Sequence, residues 1–255
     1  MHGTFVWYEL MTTDMAAAEA FYREVVGWGA KDAGMDEMKY TMFTVGEKPV
    51  AGSMELPESA RSMGIPPSWL GYIAVDDVDT TAADIVTEGG VVHRAAADIP
   101  GIGRFAIVGD PQGAVLALFR GKPGEEPPPP LAPGTPGSTG WHELYAGDGE
   151  KAFDFYAKMF GWTASRDMDM GPMGVYRIFA HNGVDLGGMM TKPAAMPAAA
   201  WNFYFNVPAI DAASLRVKTA GGQVLNGPME VPGGQWIVQC LDPQGAMFAL
   251  VAPVR

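Results

Sequence analysis

The stretch "WYELMTTDMAAAEAFYREVVGW" (Trp7–Trp28) returns without a gap as "WHELYAGDGEKAFDFYAKMFGW" (Trp141–Trp162), with nine of twenty-two positions identical. The shared frame is W-x-E-L-x(3)-D-x(3)-A-x(2)-F-Y-x(4)-G-W. The correspondence continues beyond it. "AVDDVD" (Ala74–Asp79) faces "NVPAID" (Asn206–Asp211), "EGG" (Glu88–Gly90) faces "AGG" (Ala220–Gly222), and "DPQGA" stands unchanged at Asp110–Ala114 and Asp242–Ala246. The offset moves only from 134 to 132 along the way. Matched motifs in one order across both halves mark an internal duplication. Between the copies lies "GKPGEEPPPPLAPGTPGSTG" (Gly121–Gly140), whose Pro and Gly bury little and favour extended chain. The expected division is a first domain over 1–121, a linker over 122–138 and a second domain over 139–255.

Each copy carries the same local signals. "TFVWYELM" (Thr4–Met11) is apolar and β-rich, which predicts a strand. Asp14 suits a helix N-cap, and Ala18, Phe21, Tyr22 and Val25 then recur at i, i+3, i+4 and i+7, the spacing of one helix face. Ala152, Phe155, Tyr156 and Met159 repeat that face, and Gly27 and Gly161 end the helices. "YTMFTV" (Tyr40–Val45) and "PVAGSMEL" (Pro49–Leu56) read as strands. A strand over Leu70–Val75 and a helix over Asp79–Thr87, stopped by Gly89-Gly90, open a second round. In "DPQG", Asp at i, Pro at i+1 and Gly at i+3 fit a type I turn that joins the last two strands as a hairpin. Each copy is therefore expected to be two β-α-β-β-β units, with mixed or largely antiparallel sheets and helices on one face, an α+β fold.

Composition narrows the function classes. Hydrophobic residues are 48% and charged residues 18% of the 255, enough apolar material for packed cores. A net charge of −12 repels phosphate backbones and anionic lipid, so neither nucleic acid nor a membrane is the expected partner. The single cysteine, Cys240, allows no intrachain disulfide, and the first residues, "MHGTFVWYEL", carry no basic-then-apolar leader pattern. A cytoplasmic protein, monomeric or homodimeric, is expected.

The order strand, "D…FY…GW", "VDDVD…EGG", "DPQG" resembles the vicinal oxygen chelate superfamily, which joins glyoxalases, bleomycin-resistance proteins and extradiol dioxygenases. The likeness covers nearly the whole chain outside the linker, and the tandem form is similar to glyoxalase-like, hydroxylase-like bacterial proteins. It implies two tandem domains, each of paired β-α-β-β-β modules curled into a U-shaped sheet around a cavity. It also implies where metal ligands would stand. The matching positions are Trp7 and Trp141 on the opening strand, Gly52 and Gly187 on the last strand of the first module, Leu70 and Asn202 before "VDDVD" and its counterpart, and Ala117 and Ala249 four residues past the last turn glycine. None is a usual ligand for zinc, nickel or iron, and the four histidines share no spacing between copies. No metal and no other cofactor is expected.

The same alignment turns Trp7 and Trp141 towards the cavities. Strand alternation then brings Phe5, Glu9 and Met11, and Glu143 and Tyr145, to that side, with Leu70 and Tyr72, or Asn202 and Tyr204, on a later strand. Trp7, Trp141, Tyr72, Asn202, Tyr204 and Tyr145 are the candidate ligand-binding residues. The two tryptophans would either fill the space of a metal site or stack on a planar ligand. Glu9 and Glu143 carry the sharper question, because a carboxylate on a buried strand must be bonded, paired or neutralised. Each either bonds backbone amides or a tyrosine hydroxyl and fixes the sheet, or serves as a general base or ligand anchor, with Tyr72 and Tyr204 as candidate proton donors. The expectation is a metal-independent small-molecule binder or catalyst for a neutral or cationic, partly apolar ligand. The alternatives are a glyoxalase-like lyase or other enzyme that uses Glu9 or Glu143 as base, and a partner-binding protein that keeps only the fold.

Overall fold

The computed structural model describes residues 1–35, 38–124 and 129–255, so residues 125–128 of the expected linker lie outside the described residues. The first copy runs β1 (Phe5–Thr12), α1 (Met15–Val25), β2 (Gly29–Asp32), β3 (Tyr40–Val45), β4 (Lys48–Glu55), a short α2 (Glu58–Ser62), β5 (Ser68–Ala74), α3 (Val78–Thr87), β6 (Val91–Ile99), β7 (Gly103–Gly109) and β8 (Val115–Gly121). The second runs β9 (Thr139–Ala146), α4 (Gly149–Phe160), β10 (Thr163–Asp169), β11 (Val175–His181), β12 (Val184–Thr191), β13 (Ala200–Asn206), α5 (Ile210–Thr219), β14 (Gln223–Val231), β15 (Gln235–Leu241) and β16 (Met247–Ala252). The fold is α+β, and each copy is two β-α-β-β-β modules. The strand orders are β2-β3-β4-β1-β5-β8-β7-β6 and β10-β11-β12-β9-β13-β16-β15-β14. β4 runs parallel to β1 and β8 parallel to β5, while the hairpins are antiparallel.

The helices begin where the capping signals fall. Asp14 accepts from the Ala17 amide at 3.0 Å, and Asp148 from Lys151 at 3.2 Å. In the second round the cap is Asp77, which accepts from Thr80 at 2.8 Å, so α3 starts one residue before the expected Asp79. Gly161 takes a left-handed conformation at φ 69° and closes α4. Among the described residues no helix is long and apolar enough to cross a membrane.

By proximity the chain divides into two compact units that cut across the copies. One holds Met1–Val6, Leu70–Pro129 and His142–Trp201; the other holds Trp7–Trp69, Pro130–Trp141 and Asn202–Arg255. Each therefore joins the first module of one copy to the second module of the other.

The repeated motifs make those joints. In the second of these units, the Tyr22 hydroxyl of α1 donates to Asp242 Oδ2 at 3.1 Å and accepts from Trp69 Nε1 at 2.8 Å. Asp242 Oδ1 meanwhile accepts the Gln244 and Ala246 amides at 3.0 and 2.8 Å, closing its "DPQG" turn. In the other unit the Tyr156 hydroxyl of α4 donates to Asp110 Oδ2 at 3.0 Å and accepts from Trp201 Nε1 at 3.2 Å. Asp110 Oδ1 takes the Gln112 and Ala114 amides. Burial pushes both carboxyls above the ordinary carboxylate range, against the bonds that hold them down, and pushes both phenols well up.

The "GW" ends of the frame add a matched pair. Trp28 Nε1 donates to the Gly137 carbonyl and Trp162 Nε1 to the Gly3 carbonyl, each at 2.7 Å. Gly3 and Gly137 sit at φ 84° and 87°, and a Cβ on Gly137 would come within 2.6 Å of Val45, so both places demand glycine. Around these bonds aromatic rings form the cores. Trp28 stacks on Phe43 at 5.0 Å and meets Phe205 edge-on at 4.8 Å; Trp162 stacks on Phe179 at 4.4 Å.

Replacing Tyr22 or Tyr156 by Phe keeps the ring but strands a buried carboxylate oxygen and an indole N–H. Each variant is expected to lose about 1–3 kcal/mol of stability, read as a lowered midpoint in urea unfolding with an unchanged slope.

Candidate functional site

β1 presents Trp7 and Glu9 on one face and Tyr8 and Leu10 on the other. Tyr8 and Leu10 enter the core, Tyr8 meeting Phe203 edge-on at 5.3 Å. Glu9 is only 8% exposed, on a strand whose neighbour is parallel β4, and its register partner there is Gly52. Across β4 lies β3, from which Tyr40 reaches over. Its hydroxyl accepts from Trp7 Nε1 at 2.8 Å and donates to the Glu9 carboxylate. Burial first, then the Glu9 charge, pushes the Tyr40 phenol far above its ordinary value, so it stays protonated as a donor. Gly52 makes this possible: a Cβ there would land on the Tyr40 hydroxyl. Indole, phenol and carboxylate thus form one hydrogen-bonded chain.

In the other unit the same positions recur. Glu143 on β9, 6% exposed, is the register partner of Gly188 on β12. The Tyr176 ring of β11 covers Gly188, where a Cβ would strike it. Tyr176 pairs with Met190 as Tyr40 pairs with Met54. The counterpart of Gly52 is therefore Gly188, which corrects the expected match to Gly187; Gly187 pairs with His142. The second copy has two more residues between Trp162 and Tyr176 than the first has between Trp28 and Tyr40, which moves the local offset from 134 to 136. Tyr40 and Tyr176 escaped the sequence reading. Their signal was a shared twelve-residue spacing to Gly52 and Gly188.

The remaining candidates fall as follows. Trp141 is half-buried and packs, with Ile237, on a cluster of Tyr204, Ala249 and Val251. The buried Tyr204 hydroxyl accepts from Gln239 Nε2 at 2.8 Å, and Gln239 Oε1 accepts from Asn226 Nδ2 at 3.3 Å. Asn202 shares the Tyr204 face by strand alternation, is fully buried, and neither its Oδ1 nor its Nδ2 meets a hydrogen-bond partner. Leaving such groups unsatisfied costs about 1–3 kcal/mol each. Tyr72 is buried against Phe105 and Phe119. Tyr145 is half-buried opposite Met190. Phe5, expected beside Trp7, instead stacks on His142 at 4.0 Å and meets the rings of Trp162 and Trp201, because β1 passes from one compact unit to the other between Val6 and Trp7.

Among the described residues no three His, Cys, Asp or Glu side chains come together to hold a metal ion. The side chains at the aligned positions are indoles, alkyl groups, glycines and one carboxamide, so the residues present do not fit the metal set of the fold. Cys240 is buried, and burial pushes its thiol up to about 12. An open depression of about 360 Å³ beside Asp148, Glu150, Arg177 and Thr191 lies at the start of α4. It is on the opposite face of β11 and β12 from Tyr176 and Gly188, and its Arg177 is already held by both oxygens of Asp167 at 2.8 Å.

His142 sits behind Glu143. Its Nδ1 donates to the Leu186 carbonyl at 2.6 Å, and burial lowers its pKa to about 4 from 6.5. Protonation thus favours the unfolded chain: the stability His142 contributes is whole above pH 6.5 and is lost as pH falls towards 4. In a His142→Gln variant, which keeps an N–H for Leu186, the fall in unfolding free energy over that window is expected to be shallower than wild type by up to about 1.4 kcal/mol per pH unit. Parallel curves for the two proteins would refute this account of His142.

Comparison with known proteins places these features in a wider set. Residues 138–250 match the Glyoxalase/Bleomycin resistance protein/Dioxygenase superfamily, and residues 4–46 match the Bleomycin resistance protein-like N-terminal family. The chain is 34% identical to the putative glyoxylase CFP32 of Mycobacterium tuberculosis, over 98% of this chain and 95% of that one. It is 33% identical to the anthracycline biosynthesis protein DnrV of Streptomyces peucetius, over 98% and 93%. Its fold is similar to the Mn(II)-bound glyoxalase of Novosphingobium aromaticivorans, with a TM-score of 0.66 and 16% identity over 100% of this chain and 83% of that one. It is also similar to the 2,3-dioxygenase LapB of Pseudomonas sp. KL28, with a TM-score of 0.65 and 15% identity over 98% and 93%.

Proposed function

Because the chain belongs to the glyoxalase/bleomycin resistance/dioxygenase superfamily, we propose that it binds a small, neutral or cationic, partly apolar molecule and does so without a metal ion. The observation that carries the proposal is the Trp7–Tyr40–Glu9 chain. It stands where the fold's metal ligands are expected, and it is built from a side chain that cannot ligate and a glycine that a ligand side chain could not replace without striking Tyr40. The net charge of −12 disfavours anions. The names of the relatives, a putative glyoxylase and a protein of anthracycline biosynthesis, point to small-molecule chemistry. A cytoplasmic monomer or homodimer, working on a small molecule rather than on nucleic acid or a membrane, completes the proposal.

A second reading, catalysis, is favoured by one observation: a buried glutamate occupies the same strand position in both copies, each beside a glycine covered by a tyrosine. In this reading Glu9 or Glu143 takes a proton from a carbon next to a carbonyl. The bonding pair moves onto the carbonyl oxygen as an enolate, and the proton rests on the carboxyl. Tyr40 is a positioning residue that holds one carboxylate oxygen so that the other faces the ligand. Dispersal of charge into a conjugated carbonyl is what makes a carboxylate a sufficient base.

The binding reading requires that protein dialysed against EDTA carry no stoichiometric transition metal by elemental analysis and still melt higher with apolar ligands. A stoichiometric metal that is needed for the shift overturns it. For catalysis, wild type is expected to exchange the α-proton of aromatic ketones with deuterated water. Glu9→Gln or Glu143→Gln should slow that exchange by about 10²-fold or more while binding changes little. Exchange that survives in both variants and in the double variant sinks the base assignment.

A further inference from the structure

Asn202 is a cost that the fold does not require. The first copy builds the same β5–β8 arrangement with Leu70 at the matching position, and Leu70 is buried there without difficulty. In the second copy the carboxamide is enclosed, and both its polar atoms lack a partner. The Tyr204 hydroxyl is taken by Gln239, and Gln239 is in turn held by Asn226. This polar train is also particular to the second copy, since Ile107 stands where Gln239 does, each opposite an alanine of the last strand. Ser53 Oγ, His181 Nδ1 and Gln244 Oε1 are also buried without a partner, but among the described residues Asn202 alone has both ends of its side chain so placed, and a carboxamide kept unpaired in one copy and replaced by leucine in the other points to something that comes and goes.

We infer that the second copy carries a subsite for a planar, neutral group that offers a hydrogen-bond donor and acceptor side by side, as a cis-lactam or an enolised 1,3-dicarbonyl does. Such a group pairs reciprocally with Asn202: its N–H or O–H donates to Oδ1, and its carbonyl accepts from Nδ2. Trp141 and Tyr204 supply the aromatic walls for a planar ring. Because Asn202 is covered, the ligand reaches it by displacing a neighbouring side chain, and Trp141 and Ile237 are the half-buried ones packed against Tyr204. The inference rests on the small-molecule reading above and specifies the ligand for it.

The test uses the full chain and two probes with the same fused rings, 2-quinolone, which carries a cis-lactam, and quinoline, which does not. Isothermal titration is expected to show 2-quinolone binding at least tenfold more tightly to wild type. In Asn202→Leu, the residue of the first copy, that preference should vanish. The free variant should also melt about 2 °C higher or more, because two unpaired polar atoms are gone. Equal affinity for the two probes, no binding of 2-quinolone, or a variant that melts lower than wild type each overturns the subsite. Should the variant fail to fold, the wild-type preference between the probes decides alone. Binding of quinoline without preference would end this inference and leave the small-molecule reading standing; a metal required for binding would end that reading and this inference with it.

Discussion

A phenolic hydroxyl shared between a turn carboxylate and an indole nitrogen is the joint on which each compact unit depends. Tyr22 meets Asp242 and Trp69, and Tyr156 meets Asp110 and Trp201. The carboxylate and the tyrosine always come from different copies. A buried carboxylate with one oxygen closing its own turn still needs a donor for the other, and neither copy supplies that donor to itself. The duplication is therefore more than two domains on a string. The paired motifs hold modules from opposite halves of the sequence together.

The helix side of β1 and β9 is committed to those cores, and the other side carries Trp7 and Glu9, and Trp141 and Glu143. There a glycine sets the geometry. Gly52 lets Tyr40 lie across β4 and reach both Trp7 and Glu9, and Gly188 is covered by Tyr176 in the same way. The two copies then diverge. Tyr72 meets Phe105 and Phe119, whereas Tyr204 accepts from Gln239, which is held in turn by Asn226.

Much of this was legible in the residues. Asp14 caps as expected, with Asp148 its counterpart in the second copy, "FY" lies on the buried helix faces, and "DPQG" turns between the last two strands of each copy. A carboxylate recurs at residues 9 and 143, and a tyrosine hydroxyl is one of the structural partners that a carboxylate on a buried strand can take. Which tyrosine was not legible. Tyr40 sits some thirty residues from Glu9 in sequence, and only the parallel register of β1 with β4 and the antiparallel register of β4 with β3 bring them together. The match of Gly52 to Gly188 was hidden for a related reason: the second copy has two more residues between Trp162 and Tyr176 than the first has between Trp28 and Tyr40, and the residues themselves do not say where they are inserted.

By itself, then, the sequence determined the duplicated β-α-β-β-β plan, the Asp14 helix cap and the "DPQG" turns, and the absence of ordinary metal ligands at the positions that the resemblance aligns. These follow from local capping, periodicity and side-chain chemistry, all of which act within a few residues. Only the tertiary structure decided that modules pair across the copies, that Tyr40 holds Glu9, and that Asn202 is buried without a partner. Those outcomes depend on strand register and on contacts between distant segments, where a shift of one residue turns a side chain to the opposite face.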